Sequence, residues 1–217
     1  MECLEFGNPL AERVLLQPVD QYDLEGMDQE LAVLRKAGGD FRLLAFRIRD
    51  WNRELSPWEA APVFGKEGFG AGAPETLAAV LERCGEPGKR YYLGGYSLAG
   101  LFALWAAGQT DRFAGIAAAS PSVWFPGLPE YLEAHPPRTG RIYLSLGDRE
   151  EKTRNPVMAQ VGDRIRRLHS RFLAQGLDCA LEWNPGSHFR DPALRTARAF
   201  AWVLEEPAGP LETRSRL

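Results

Sequence analysis

The segment from 91 to 102, YYLGGYSLAGLF, decides the fold, because an apolar strand turns sharply into a helix with Ser97 at the apex. Such a turn crowds the positions two before and two after the serine, and both hold small residues here, Gly95 and Ala99. Alanine departs mildly from the glycine usual at the second position. The turn predicts a hydroxyl held clear of the backbone, with the Leu98 N–H and the helix N-terminus aimed at a developing oxyanion. The simpler interpretation is a small-residue turn with an incidental serine.

Outward from this turn, short apolar strands alternate with helical stretches along the chain. The pattern predicts six strands, at 13–19, 41–48, 90–96, 113–119, 141–146 and 179–183. Helices are predicted at 23–36, 75–83, 98–108, 162–175 and 192–204. This alternation indicates an α/β fold whose parallel sheet is covered by helices on both faces. The length of 217 residues suits a single domain spanning 1–217.

Two long loops, 51–74 and 120–140, interrupt the alternation. Both follow strands, so they are expected at the carboxyl edge of the sheet, where open α/β folds bind ligands. We expect some of their aromatic rings, Trp124 first among them, to form an apolar acyl or aryl pocket over Ser97. The alternative is that these rings simply cover the sheet edge. The tryptophans and phenylalanines of the two loops are Trp51, Trp58, Phe64, Phe69, Trp124 and Phe125.

A candidate base for Ser97 lies in the loop between the sixth strand and the last helix. Of three histidines, His135 falls in a proline-rich loop and His169 on a charged helix face, so both are expected in solvent. His188 alone stands at a strand end, downstream of Ser97, in the segment NPGSHF. From there its imidazole could reach over the sheet edge to the serine hydroxyl.

A carboxylate that orients the histidine is expected after the fifth strand, in the segment GDREE. Glu150 is favoured because it lies three residues after Gly147, which is the usual place for the orienting acid in folds of this kind. Asp148 and Glu151 stay open as alternatives. A charged loop facing water is the non-functional interpretation. The resulting chain order of serine, acid and histidine is that of the G-x-S-x-G hydrolases.

Composition excludes several other classes of protein. The net charge is -3, and no basic cluster indicates nucleic acid. No apolar run approaches the roughly 18 residues of a membrane span, and the first residues lack the features of a signal peptide. Three dispersed cysteines match no zinc spacing, so we expect no metal, no cofactor and a cytoplasmic location. The oligomeric state stays open.

Four segments carry a resemblance to a known family. They are GGYSLAGLF from Gly94, ASPSVWF from Ala119, LSLGDREE from Leu144 and GSHF from Gly186. Together they resemble the esterase branch of the α/β-hydrolase superfamily, which includes siderophore esterases and relatives of esterase D. The resemblance is strong over 90–204 and weaker before it. It implies hydrolysis of a carboxylic ester through an acyl-enzyme. The loop aromatics, rather than the resemblance, predict a small-molecule substrate with apolar or aryl groups.

The resemblance also sets expectations for the architecture and the oxyanion hole. We expect a minimal α/β-hydrolase fold with strand order 2-1-3-4-5-6 and no large lid. A second oxyanion donor would come from Asp20 or Gln21 after the first strand, although Asp20–Asp23 equally reads as a helix cap. Some siderophore esterases work as a serine–histidine pair, which leaves the role of Glu150 open. A thioesterase or acyltransferase with the same site, a peptidase with a larger gate, and an inactive binding protein are the alternatives.

Overall fold

The computed structural model describes residues 1–205, which form a seven-stranded sheet with helices on both faces. The strands are β1 (Cys3–Gly7), β2 (Arg13–Val19), β3 (Arg42–Arg47), β4 (Arg90–Tyr96), β5 (Phe113–Ala119), β6 (Arg141–Gly147) and β7 (Asp178–Asn184). The helices are α1 (Gln21–Lys36), α2 (Trp51–Glu54), α3 (Ala73–Leu81), α4 (Leu98–Gln109), α5 (Leu128–Ala134), α6 (Val161–Ala174) and α7 (Pro192–Leu204). A 3₁₀ turn, Met158–Gln160, precedes α6.

The sheet order is β1-β3-β2-β4-β5-β6-β7. The strands from β2 to β7 pair in parallel, whereas β1 runs antiparallel to β3 with Cys3 opposite Phe46. The predicted count of six strands is therefore wrong, and so is the predicted order at this edge. The extra strand is only five residues long and half exposed, as an edge strand is, so it lacks the apolar run by which the others were found.

The two faces of the sheet carry separate apolar layers. On one face, α1 and α7 pack over the sheet with Leu31 and Phe200 among their buried side chains. On the other, α3, α4, α5 and α6 bury side chains such as Leu77, Phe102 and Phe172. Almost all of α4 is buried, because it lies across the middle of the sheet directly after the central strand β4. This placement fixes the start of α4 at the carboxyl edge of the sheet.

Both segments expected as loops contain short helices. The four residues of α2 begin the first, and α5 lies within the second. The first also folds back on itself through a bridge between Ala60 and Phe69. Helices this short show no periodicity that a sequence pattern could reveal. Within residues 1–205, no helix combines the length and apolar character needed to cross a membrane.

Candidate active site

Ser97 occupies a strained turn between β4 and α4. Its backbone lies at φ 57° and ψ -116°, a region that non-glycine residues rarely adopt. Serine at a helix N-cap commonly accepts a hydrogen bond from the first turn, but this side chain makes no such cap. The turn also explains its small neighbours, because a Cβ added to Gly95 would lie 2.6 Å from the Cβ of Ala99. The hydroxyl is thereby left available to groups outside the helix.

His188 and Glu150 extend from Ser97 in a hydrogen-bonded line. Nε2 of His188 lies 3.0 Å from Oγ of Ser97, and Nδ1 lies 2.7 Å from Oε2 of Glu150. The three side chains come from three strand ends: β4, β6 and β7. With the imidazole proton on Nδ1, Ser97 donates to the ring and the ring donates to the carboxylate. The imidazole is 23% exposed and the carboxylate side chain 5%, so the line runs inward from solvent.

The two competing acids lie elsewhere. Asp148 accepts a hydrogen bond of 2.7 Å from the backbone N–H of Gly186, two residues before His188. It therefore ties the loop after β6 to the loop that carries the histidine. Glu151 forms an ion pair with Arg166 on α6, at 3.0 Å. Of the three carboxylates considered from the sequence, Glu150 is the one that contacts the imidazole.

Glu150 has further partners inside the protein. Its Oε1 accepts hydrogen bonds from the Gly147 N–H at 2.7 Å and from the Ser120 hydroxyl at 2.9 Å. The same oxygen lies 3.0 Å from the guanidinium of Arg195, whose side chain is only 2% exposed. These donors fix the orientation of the carboxylate and hold its second oxygen toward His188.

Tyr96 contacts the loop that carries His188. Its hydroxyl donates to the backbone carbonyl of His188 at 2.6 Å, and the two rings lie 5.1 Å apart. Burial, together with the nearby Glu150 charge, raises the pKa of Tyr96 to about 12. The phenol therefore keeps its proton at neutral pH and remains a donor to this carbonyl.

A second serine stands beside the first. The Oγ of Ser122 lies 3.3 Å from the Oγ of Ser97, and the Ser122 N–H donates to the Ser97 carbonyl at 3.1 Å. Ser122 is fully buried. It belongs to the segment directly after β5, where Ser120 has a positive φ of 42°. This segment packs against the turn around Ser97 and fixes its outer side.

Sequence reasoning missed Arg195, Tyr96, Ser120 and Ser122 as site residues. Arg195 did carry a signal, because it lies four residues before Ala199 on the buried stripe of α7, where an apolar residue is expected. Ser120 and Ser122 follow β5 as Ser97 follows β4, but serines are common in loops, so neither stands out in the sequence. The sequence gives no signal that distinguishes Tyr96 from the other residues of its strand.

The candidate oxyanion donors lie at the starts of two helices. Leu98 is the first residue of α4, and N–H groups in a first helical turn have no acceptor inside the helix. Asp20 caps α1 in a capping box: its N–H donates to Asp23 at 3.1 Å and its carboxylate accepts from the Asp23 N–H at 2.8 Å. The N–H of Asp20 is therefore already engaged. Gln21 is exposed, and its side chain accepts a hydrogen bond from Arg47.

Five of these six loop rings, all except Trp51, form one connected cluster. Phe69 contacts both Trp124 and Phe125, with ring centroids 5.9 and 5.2 Å apart, and Phe64 lies edge-on to Trp124 at 5.7 Å. Trp58 packs on Phe125 at 5.7 Å and donates its indole N–H to the Pro126 carbonyl. Trp51 is half-buried against the same apolar layer. Phe125 is fully buried, whereas Phe64 is 46% exposed.

The other histidines lie outside this arrangement. His135 is exposed and stacks on Tyr131, as expected. His169 is half-buried, and its Nε2 lies 3.2 Å from the Cys179 carbonyl, so the expectation of a fully solvated ring does not hold. Over the described part of the chain, no group of three or more His, Cys, Asp or Glu residues could hold a metal ion.

Comparison with known proteins identifies the fold. No family model matches the chain, and no curated protein matches it. An IroE-like serine hydrolase from Shewanella oneidensis is similar in structure, with a TM-score of 0.73 and 15% identity over 92% of this chain and 74% of that one. The enterobactin esterase FES from Shigella flexneri has a TM-score of 0.59 and 16% identity, covering 93% and 54% of the two chains. Est1E from Butyrivibrio proteoclasticus has a TM-score of 0.59 and 14% identity, covering 93% and 92%. The chain therefore has the α/β-hydrolase fold.

Proposed function

We propose that this protein is a serine hydrolase that cleaves carboxylic esters through an acyl-enzyme. The observation that carries the proposal is the line from Ser97 through His188 to Glu150, with contacts of 3.0 and 2.7 Å. A strained elbow serine, an imidazole and a buried carboxylate in this order are the parts that acyl transfer needs. The esterases and the serine hydrolase of similar fold support the same reaction class.

The chemistry follows from the position of each group. His188 takes the Ser97 proton through Nε2 as the hydroxyl oxygen attacks the ester carbonyl, and then protonates the departing alcohol. Glu150 stabilises the imidazolium that forms between these two steps. The Leu98 N–H and the N-terminus of α4 stabilise the oxyanion, with Gln21 as the proposed second donor. Water activated by His188 then releases the acid and restores Ser97.

The substrate class proposed is a small ester with an apolar or aryl group. The segment carrying Ser122, which contacts Ser97, continues two residues later into Trp124 of the aromatic cluster. Rings of this kind favour flat or compact apolar groups. The Shigella flexneri esterase of the same fold was solved in the presence of 2,3-dihydroxy-N-benzoyl-glycine, an aryl compound, which supports the same preference.

Two measurements test the proposal. A fluorophosphonate probe should label the protein once, at Ser97, and the Ser97→Ala variant should not be labelled. A panel of aryl and alkyl esters of graded acyl length should then show turnover that the same variant lacks. An unlabelled wild-type protein that turns over no ester would overturn the proposal. Turnover of acyl thioesters well above that of every oxygen ester would assign the site to a thioesterase instead.

A further inference from the structure

One buried guanidinium joins the proposed acid to the loop that carries the proposed base. Arg195 lies in the first turn of α7, on the helix face that packs against the sheet, and is 2% exposed. One terminal nitrogen, Nη1, contacts Glu150 Oε1 at 3.0 Å, the Tyr96 hydroxyl at 3.1 Å and the Ser120 hydroxyl at 3.2 Å. A fully buried arginine with this many partners is costly to keep, since its desolvation must be offset by all of them.

The other terminal nitrogen, Nη2, binds the loop that carries His188. It donates to the carbonyl of Pro185 and to that of Ser187, both at 3.1 Å. These carbonyls precede His188, whose own carbonyl is held by Tyr96. The planar, rigid fork of a guanidinium suits this task, because its donors point in fixed directions that a lysine ammonium cannot reproduce. Thus Arg195 sets the separation between the loop after β6 and the loop after β7.

We propose that Arg195 is a positioning residue for the hydrolytic site: it fixes His188 relative to Glu150 by binding the Glu150 carboxylate and the loop that carries His188 at the same time. The inference rests on the proposed function of that pair.

Other ionisable groups on the neighbouring elements are otherwise engaged. Tyr96 is a neutral donor, Asp148 accepts from Gly186, and Arg190 pairs with Asp191 at the exposed end of the loop.

The test compares Arg195→Met, Arg195→Lys and the control Arg198→Met, which removes an exposed arginine one turn further along the same helix. The rate of labelling by a fluorophosphonate, and kcat and KM for an aryl ester, are measured at neutral pH. Arg195→Met removes all the contacts of the guanidinium and should lower the labelling rate and kcat at least about ten-fold, with KM little changed. Arg198→Met should leave all three quantities at their wild-type values.

Arg195→Lys separates charge from geometry. It keeps the charge but cannot reach all five acceptors, so kcat should fall about ten- to a hundred-fold with KM little changed. Wild-type kcat in Arg195→Lys, or in a folded Arg195→Met variant, overturns the positioning role. The lysine variant decides this point even if the methionine variant does not fold. Failure of the proposed function looks different, because the wild-type protein would then show no labelling.

Discussion

At the scale of single residues, the unusual feature is a serine whose backbone is strained while its hydroxyl is left out of helix capping. A strained, uncapped serine weakens the fold locally, so its replacement should leave the protein folded. We expect Ser97→Ala to reduce kcat by about 10⁶, as for loss of a nucleophilic serine elsewhere. Circular dichroism and the urea midpoint should match those of the wild type. Retained turnover in this variant would exclude Ser97 as the nucleophile.

Glu150 poses a second test at this scale. In Glu150→Gln the amide cannot stabilise an imidazolium, and Arg195 loses the charge it pairs with. We expect kcat to fall by about 10⁴, the loss seen when a triad carboxylate becomes an amide. The matched control is Asp148→Asn, which alters the neighbouring acid that contacts the Gly186 N–H instead. A loss for Glu150→Gln of tenfold or less would indicate a serine–histidine pair that works without the acid.

At the scale of secondary structure, the strand-to-helix turn demands small side chains on both sides of Ser97. A Cβ on Gly95 would lie 2.6 Å from the Cβ of Ala99, and the φ of Gly95 is +156°. We expect Gly95→Ala to lower the free energy of unfolding by about 1–3 kcal/mol, as overpacking does. Adding Ala99→Gly should recover part of this loss, even though glycine in a helix costs up to about 1 kcal/mol alone. Purely additive effects in urea titrations would show that the two positions do not compete for space.

The aromatic cluster belongs to the same scale, because it joins the segments after β3 and after β5. Removing one ring that walls a binding site costs roughly 1.5–3 kcal/mol of binding. We therefore expect Trp124→Ala to raise KM for aryl esters more than it lowers kcat. Trp202→Ala provides the control, since this ring lies on α7 in the apolar layer of the opposite face. Unchanged hydrolysis of short aryl esters by the Trp124 variant would assign the cluster to packing alone.

At the scale of the whole molecule, one buried acid makes stability depend on pH. Glu30 of α1 is 2% exposed, and burial raises its pKa to about 8, although Gln17 donates to its carboxylate at 3.2 Å. The folded state thus holds a proton that the unfolded chain releases near pH 4.3. The resulting stabilisation is complete below that pH and is lost as the pH rises to about 8.

The variant Glu30→Gln removes this titration. Its free energy of unfolding should vary less with pH between about 5 and 8 than that of the wild type, and should exceed the wild-type value at pH 8. Urea denaturation at four pH values measures both effects. Glu25→Gln, an exposed position on the same helix, is the control and should follow the wild-type curve. A Glu30→Gln variant with an unchanged pH slope would show that Glu30 does not titrate in this range.

The sequence predicted those features of the fold and site that a short run of residues is enough to specify. Apolar runs revealed the parallel strands, and the turn around Ser97 with His188 after the last strand placed both at one sheet edge. Among Asp148, Glu150 and Glu151, only the folded loop shows which carboxylate turns inward. Edge strand β1 and helices α2 and α5 are too short to leave a periodic pattern.

The role of the buried Arg195 could not be predicted from the sequence for a different reason. Arg195 lies on the buried stripe of α7, but charged residues are almost never fully buried unless they are paired, so its role could be predicted only with its partners known. Its partners Tyr96, Ser120 and Glu150 lie 99, 75 and 45 residues away along the chain. Contacts between residues so far apart along the chain produce no local pattern in a single sequence.

The order of the site residues along the chain has a consequence for biosynthesis. Ser97 leaves the ribosome 91 residues before His188, and Arg195 follows later still. At the usual pace of translation, roughly 5–18 s separate the serine from its histidine. Under the proposed function, a nascent or truncated chain that ends before His188 carries the serine without its base and should not hydrolyse esters. A chain divided between Glu150 and His188 should likewise give two inactive fragments, and ester hydrolysis would then measure their reassembly.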